Sequence, residues 1–262
     1  MSEPQSMVDE FATEASWTAE AVAELGAEHA LPAACRGSGS PAALTWLGDR
    51  LGLGVGTRLL DSGAGLGGPA EYVARSFGAR PVLVEPMEAA CRAAGRFFDH
   101  PVAAADGGAL PFATGAFRAA WSLGVLCTVE DQAGLLAELA RVVVPGGAIG
   151  LLAFVRTVDV LPEQPDGNLF PTSDDLEGLL RGARLEVHDR ALLSDFPDAG
   201  PAWERALHRV DTVLERDHGS DERWLSSRRQ QAVLGKLLDE GLVVGHLVAA
   251  RHGSRPSGSS GP

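Results

Sequence analysis

Basic charge, long apolar runs and cysteine are the things this chain has little of. Of its 262 residues, 22 are Lys or Arg against 35 Asp or Glu, a formal net charge of −13. Binding to nucleic acid needs a basic footprint that displaces counterions, and docking on anionic lipid needs one too. Neither partner is expected here. No uncharged apolar run approaches the ~20 residues of a transmembrane helix. Met1 to Glu14 is acidic and polar and lacks the apolar centre of a signal peptide. There are only three cysteines, and Cys35, Cys91 and Cys127 are widely spaced. An odd, sparse set points to reduced thiols in a cytoplasm rather than a disulfide frame or a zinc site. The seven histidines show no metal-ligand spacing, so no metal is expected. There is no internal repeat. A hydrophobic content of 45% with one tyrosine describes an Ala/Gly-rich globular protein, long enough for one sizeable domain and an accessory element.

Apolar runs and breakers divide the chain. Met1 to Phe11 reads as a mobile leader. Ala15 to Leu31 has a loose helical pattern, broken by Pro32 and by Gly37-Ser38-Gly39-Ser40, and a second helix spans Pro41 to Leu51. Residues 1–55 are thus a leader and a helical cap. A core over 56–194 alternates strands near 57–62, 80–85, 101–105, 117–123 and 147–155 with helices near 67–77, 87–97 and 131–143. Such alternation indicates an α/β, doubly wound, mostly parallel sheet. A loop follows from Val158 to Pro171, then a helix capped by Thr172 or Ser173, then a strand over Leu185–Leu192. The segment 195–240 reads as a helical insertion with helices near 201–218 and 221–240. A last strand over 241–252 makes seven, and 253–262 is a flexible tail.

The most informative run is Arg58-Leu59-Leu60-Asp61-Ser62-Gly63-Ala64-Gly65-Leu66-Gly67-Gly68. An apolar strand ends in an acid, passes through a glycine turn and opens a helix. Backbone without Cβ atoms can approach a ligand closely there, and a helix N-terminus points at it. Gly63, Gly65 and Gly68 satisfy G-x-G-x-x-G, the dinucleotide fingerprint. Glu85 ends the next apolar run, where an acid accepts hydrogen bonds from ribose hydroxyls. The position of Asp61 discriminates between cofactors. A carboxylate beside the turn would repel the pyrophosphate of NAD, whereas S-adenosylmethionine brings a sulfonium and an ammonium and no phosphate.

Further signals come in order. Asp106-Gly107 follows the run Pro101 to Ala105. Leu110-Pro111-Phe112 precedes the strand Phe117 to Leu123, and a helix over Gly134–Val143 is closed by Pro145-Gly146-Gly147 before a strand to Phe154. From Gly56 to Phe154 this succession resembles the class I S-adenosylmethionine-dependent methyltransferases, in particular their ubiquinone-type and small-molecule branch. The resemblance implies a Rossmann-like methyltransferase fold with S-adenosyl-L-methionine as cofactor. It implies that Gly63, Ala64 and Gly65 hold the methionine moiety, Glu85 the ribose and Asp106 the adenine amino group, with Asp61, Pro86, Gly107 and Ser122 at the same edge. Arg36, before the glycine-serine turn of the cap, suits a bidentate clamp on the cofactor carboxylate.

The acceptor is expected to be a small molecule, met by a monomer or homodimer in specialised metabolism of a bacterium. Methyl transfer depends mostly on positioning and desolvation, and a base matters only when the acceptor must lose a proton. His29 on the cap and His208 on the insertion are the candidate bases. Cys127 is expected to be a small buried hydrophobe. Trp203, Leu207, Val210, Val213 and Leu214 form an apolar stripe that covers either the sheet domain's flank or the acceptor as a lid. Three alternatives stay open: a cofactor-assisted cyclase or pericyclase, a non-catalytic methyltransferase-like subunit, and a nicotinamide dehydrogenase.

Overall fold

A computed structural model describes residues 3–253. β1 (Arg58–Ser62), β2 (Arg80–Glu85), β3 (Val102–Ala104), β4 (Phe117–Leu123), β5 (Val143–Arg156), β6 (Leu185–Leu192) and β7 (Val243–His252) form one sheet in the order β3-β2-β1-β4-β5-β7-β6. The first five strands are parallel, and β7 runs antiparallel to both β5 and β6. The strand order reverses between β1 and β4, so the carboxyl ends of these two strands flank the crevice where open α/β sheets bind ligands.

Strand alternation sets the two faces. Leu59, Trp121 and Leu152 point into one core with Leu44 and Leu47 of α3 (Pro41–Arg50). Leu60, Ala120 and Leu151 point into the other with Leu135, Leu136 and Leu139 of α6 (Gln132–Val142) and Leu176 and Leu180 of α7 (Ser173–Gly182). Both faces being covered explains why these strands are near-continuous apolar runs. α4 (Gly68–Phe77) and α5 (Glu88–Phe97) complete the crossovers. The Thr172 hydroxyl accepts from the Asp175 N–H and the Asp175 carboxylate accepts from the Thr172 N–H, a reciprocal cap that starts α7.

Several expectations need correction. The leader expected at Met1–Phe11 is helical from Glu3, because α1 (Glu3–Leu25) lies along α5 and the inserted helices. This helix stops at Leu25 rather than Leu31. Gly26, at φ 112°, turns the chain into a 3-10 turn over Ala27–His29 and a short α2 (Ala30–Ala34). β5 begins at Val143 rather than near 147, running through the Pro145-Gly146-Gly147 signal with a register shift against β4. Beyond Gly253 the tail lies outside the described residues.

The segment 195–240 forms α8 (Pro201–His218) and α9 (Glu222–Asp239). The stripe residues Val210, Val213 and Leu214 are buried with Ala21 and Val22 of α1, Ala30, Ala33 and Ala34 of α2, Phe98 and Trp224, and Leu66 of the glycine turn packs against them. Trp203 packs instead beside the first core with Trp46 and Phe196. The Trp17 and His218 rings stack at 4.0 Å, and Arg223 sits over Trp17 at 5.2 Å. Cap and insertion are therefore one layer with a core of its own, meeting the sheet domain at the glycine turn.

Candidate cofactor site

Three glycines in succession, Gly63, Gly65 and Gly67, take left-handed backbone at φ 74°, 53° and 80°, which turns β1 sharply into α4. Four of the turn's N–H groups are already engaged. Gly63 and Ala64 both donate to the Val84 carbonyl, at 2.8 and 3.0 Å, and Gly67 donates to the Ala64 carbonyl at 2.9 Å. Gly65 donates to Glu85 Oε2 at 2.9 Å, while the Met87 N–H donates to Oε1 at 3.1 Å. Glu85, only 3% exposed, thus clasps the glycine turn to the end of β2. That second role was not foreseen from the sequence, although an acid twenty residues after a glycine turn is the signal for it. Each oxygen keeps a further lone pair for a ligand hydroxyl. Burial raises the Glu85 pKa, and the two backbone N–H groups oppose this.

Asp61, one residue before the end of β1, lies under the turn, 2% exposed, and its Oδ2 has no hydrogen-bond partner. Burial pushes its pKa up to about 7. The facing Trp121 indole draws it partly back, without reaching hydrogen-bond geometry, and the nearby Glu85 charge raises it again. The Ser62 hydroxyl is likewise buried and unpartnered. Ser122 Oγ donates to the Ser62 carbonyl at 2.9 Å, so Ser122 locks β4 to β1. A Cβ on Gly107 would come within 2.7 Å of a Leu135 methyl and 3.2 Å of Ser62 Oγ, so a larger residue there would displace the Leu135 side chain. Asp106 is exposed and its Oδ1 accepts from the Gly108 N–H at 2.6 Å, so it caps its own turn. Pro86 is exposed and Ala64 buried.

The cap crosses this edge as a strap. A Cβ on Gly68 would lie 2.4 Å from the Ala34 carbonyl carbon and 2.6 Å from the Cys35 nitrogen, and one on Gly124 would lie 3.2 Å from the Gly37 carbonyl oxygen. Residues 34–37 thus span from the start of α4 to the end of β4. Cys35 is close enough to Asp61 to be affected by its charge, although burial dominates its raised pKa. Arg36 sits in the middle of the strap. Its Nη1 lies 2.7 Å from Asp211 Oδ1 of α8 as an ion pair outside hydrogen-bond angles, and its Nε and Nη2 are buried without partners. Phe11 of α1 faces Gly65, 3.6 Å from where its Cβ would be.

The two candidate bases part company. His29 is 3% exposed, its Nδ1 3.3 Å from the Gly26 carbonyl. His208 is exposed on α8. Cys127 is buried after β4, and burial raises its thiol to about 12. Among the described residues no cluster of His, Cys, Asp and Glu is arranged for a metal ion, and no helix is long and apolar enough to cross a membrane.

This arrangement fits S-adenosylmethionine better than a dinucleotide. A phosphate cradle needs free N–H groups at the turn, and here four are committed to protein acceptors. The unpartnered carboxyl oxygen of Asp61 suits a cationic group instead.

Residues 60–151 match a family described as a methyltransferase domain. Over 110 residues the chain is 41% identical to a demethylmenaquinone methyltransferase of Corynebacterium urealyticum, covering 42% of this chain and 46% of that protein. Over 198 residues it is 27% identical to the 27-O-demethylrifamycin SV methyltransferase of Amycolatopsis mediterranei, covering 66% and 71%. It spans less than half the length of the first curated relatives it matches. The crystal structure of the 4+2 cyclase SpnF aligns with a TM-score of 0.65 at 22% identity, covering 84% of each chain, a likeness of fold. Residues 60–151 thus carry the methyltransferase-domain match, and the sheet order and glycine turn agree with the class I S-adenosylmethionine-dependent methyltransferase fold.

Proposed function

We propose that this protein binds S-adenosylmethionine and transfers its methyl group to an O, N or C atom of a small molecule in specialised metabolism, working in a bacterial cytoplasm. One observation carries the reading. The glycine turn's N–H groups are tied to Val84 and Glu85, while a buried carboxyl, Asp61, stands beneath with one oxygen unpartnered. The family match over residues 60–151 and the relative named as a 27-O-demethylrifamycin SV methyltransferase support it. The net charge of −13 disfavours a nucleic-acid acceptor.

The cofactor supplies an electrophilic methyl on a sulfonium, already a good leaving group. The chain supplies binding, orientation and dryness. Glu85, held by two N–H groups, keeps lone pairs for the ribose hydroxyls. Asp61 offers its free oxygen to the cationic end, and Gly63, Ala64 and Gly65 leave room for the methionyl chain. Asp106, with Gly107 and Pro86 beside it, takes the adenine edge. The strap over β1 and β4 excludes water from the same edge. For an acceptor that must lose a proton, His29 is the candidate base we retain, because it is buried; His208 is in solvent.

A cyclisation that uses the bound cofactor without methyl transfer is the second reading, prompted by the fold likeness to SpnF. Calorimetry with S-adenosylmethionine, S-adenosylhomocysteine and NAD tests the cofactor, and product mass separates the two reactions. Tight NAD binding with no response to either sulfur compound overturns the proposal.

A further inference from the structure

Arg36 is the charged group in this layer whose environment is least explained by packing. A guanidinium presents its donors as forks, and Nε with Nη2 form the side-on pair that meets a carboxylate bidentately. In this structure that pair is buried and empty-handed, while the remaining nitrogen, Nη1, is held by Asp211. Burying such donors without acceptors is unfavourable, so the fork is poised for an anion. Its backbone lies in the strap that crosses between Gly68 and Gly124 at the reversal of strand order, where the neighbouring Cys35 feels the Asp61 charge. Its other partner sits on α8, one residue after Val210 and two before Val213, which are buried against α1 and α2.

We propose that Arg36 is a shared anchor. Its Nε–Nη2 fork takes the carboxylate of the cofactor's amino-acid end, while Nη1 holds Asp211, so that cofactor loading and seating of the inserted helices stabilise each other. This rests on the cofactor reading above. Fixing the guanidinium from one side lowers the cost of ordering it for the other, and coupling of this kind is reciprocal. The insertion then responds to the amino-acid end of the cofactor rather than to its nucleoside. Arg36 is a positioning residue in this scheme, since the reacting atoms lie elsewhere.

The test uses the full chain with two probes. S-adenosylhomocysteine carries the carboxylate; methylthioadenosine keeps nucleoside and thioether but lacks the amino-acid end. Arg36→Gln is expected to weaken S-adenosylhomocysteine by roughly 10- to 100-fold and to leave methylthioadenosine unchanged. Arg36→Lys, which keeps the charge and loses the fork, should fall between, and serves if the glutamine variant unfolds. Hydrogen exchange across Val210–Leu214 should slow in the native protein with S-adenosylhomocysteine and not with methylthioadenosine. In Asp211→Asn that protection should be lost while affinity falls only a few-fold. Equal loss of both probes in Arg36→Gln, or α8 protection that survives Asp211→Asn, overturns the proposal. If the native protein binds neither probe, the cofactor reading fails first, a distinguishable result.

Discussion

Replacing Asp61 by asparagine separates what this carboxyl does for the cofactor from what it does to the fold. Burial moves its pKa from an ordinary 3.8 to about 7. At about 1.36 kcal/mol per pH unit, that disfavours the ionised form by on the order of 4 kcal/mol. The sign follows from linkage. Below pH ~4 the carboxyl is protonated in both folded and unfolded chains, and nothing is lost. Between ~4 and 7 the unfolded chain ionises while the folded one keeps its proton, so stability falls as pH rises. Above about 7 the full cost is present and constant. Asparagine has no such titration, although its amide inherits the unpartnered position at ~1–3 kcal/mol. The pH dependence is therefore cleaner than the absolute change. Urea unfolding without cofactor, at about pH 5.5 and about pH 8.5, should show the variant gaining on the native protein by roughly 2 kcal/mol across that interval. Glu85 is close enough to titrate with Asp61, so the observed midpoint belongs to the pair. The same variant should bind S-adenosylmethionine more weakly at high pH, because it lacks the charge the cation meets. Parallel stability profiles for the two proteins would refute the buried, uncompensated carboxyl. A pH-dependent gain in stability with unchanged cofactor affinity would keep the burial and remove the binding role.

Glu85→Ala should weaken S-adenosylhomocysteine by roughly 1–3 kcal/mol by calorimetry and loosen the glycine turn, whose Gly65 N–H loses its acceptor; unchanged affinity in a folded variant would mean the ribose site is elsewhere. Gly68→Ala places a methyl 2.4 Å from the Ala34 carbonyl carbon, a backbone clash that should lower unfolding stability by ~1–3 kcal/mol. An unaltered midpoint would show that the strap yields freely. Val210→Ala, fully buried between α8 and the cap, should cost ~1–3 kcal/mol of stability, read by the same unfolding. Trp203→Ala, packed beside the first core, should impair turnover with an identified acceptor more than cofactor affinity if α8 serves as a lid, and equal losses would refute that role.

The parallel strands were legible because they are apolar runs of strand length separated by glycine and proline, and both faces of a parallel sheet are buried. β4 and β6 match the expected spans residue for residue, as does α8. The boundaries that moved are those where packing overrides local signals. Nothing in the acidic start of α1 announces a helix, and tertiary contact with α5, α8 and α9 makes one. Pro145-Gly146-Gly147 reads as the close of a helix ahead of the strand, yet β5 begins before it and absorbs it with a register shift beside β4. The residues of the site were legible by position, since a strand-terminal acid can be counted. Their partners were not. The Glu85–Gly65 and Asp106–Gly108 bonds depend on backbone orientation within turns, which a sequence does not state.

The inserted helices show the difference most sharply. A stripe at helical spacing says that a face is covered and leaves open by what. Both candidate coverings offered apolar surface, so only tertiary structure decides. Val210, Val213 and Leu214 turn out to lie against the cap helices and next to Leu66, rather than on the sheet's flank. The apolar faces of α1 and α8 share one core, to which α2, Phe98 and Trp224 also contribute. The two segments lie almost two hundred residues apart, yet act as one layer over the glycine turn. The ion pairs that join them are also long-range, Arg216 with Glu24 and Arg36 with Asp211. The first is exposed and contributes little. The second joins the strap to α8, with its remaining donors unspent. The sequence suggested a ligand for this arginine, but its protein partner comes from a helix encoded far downstream.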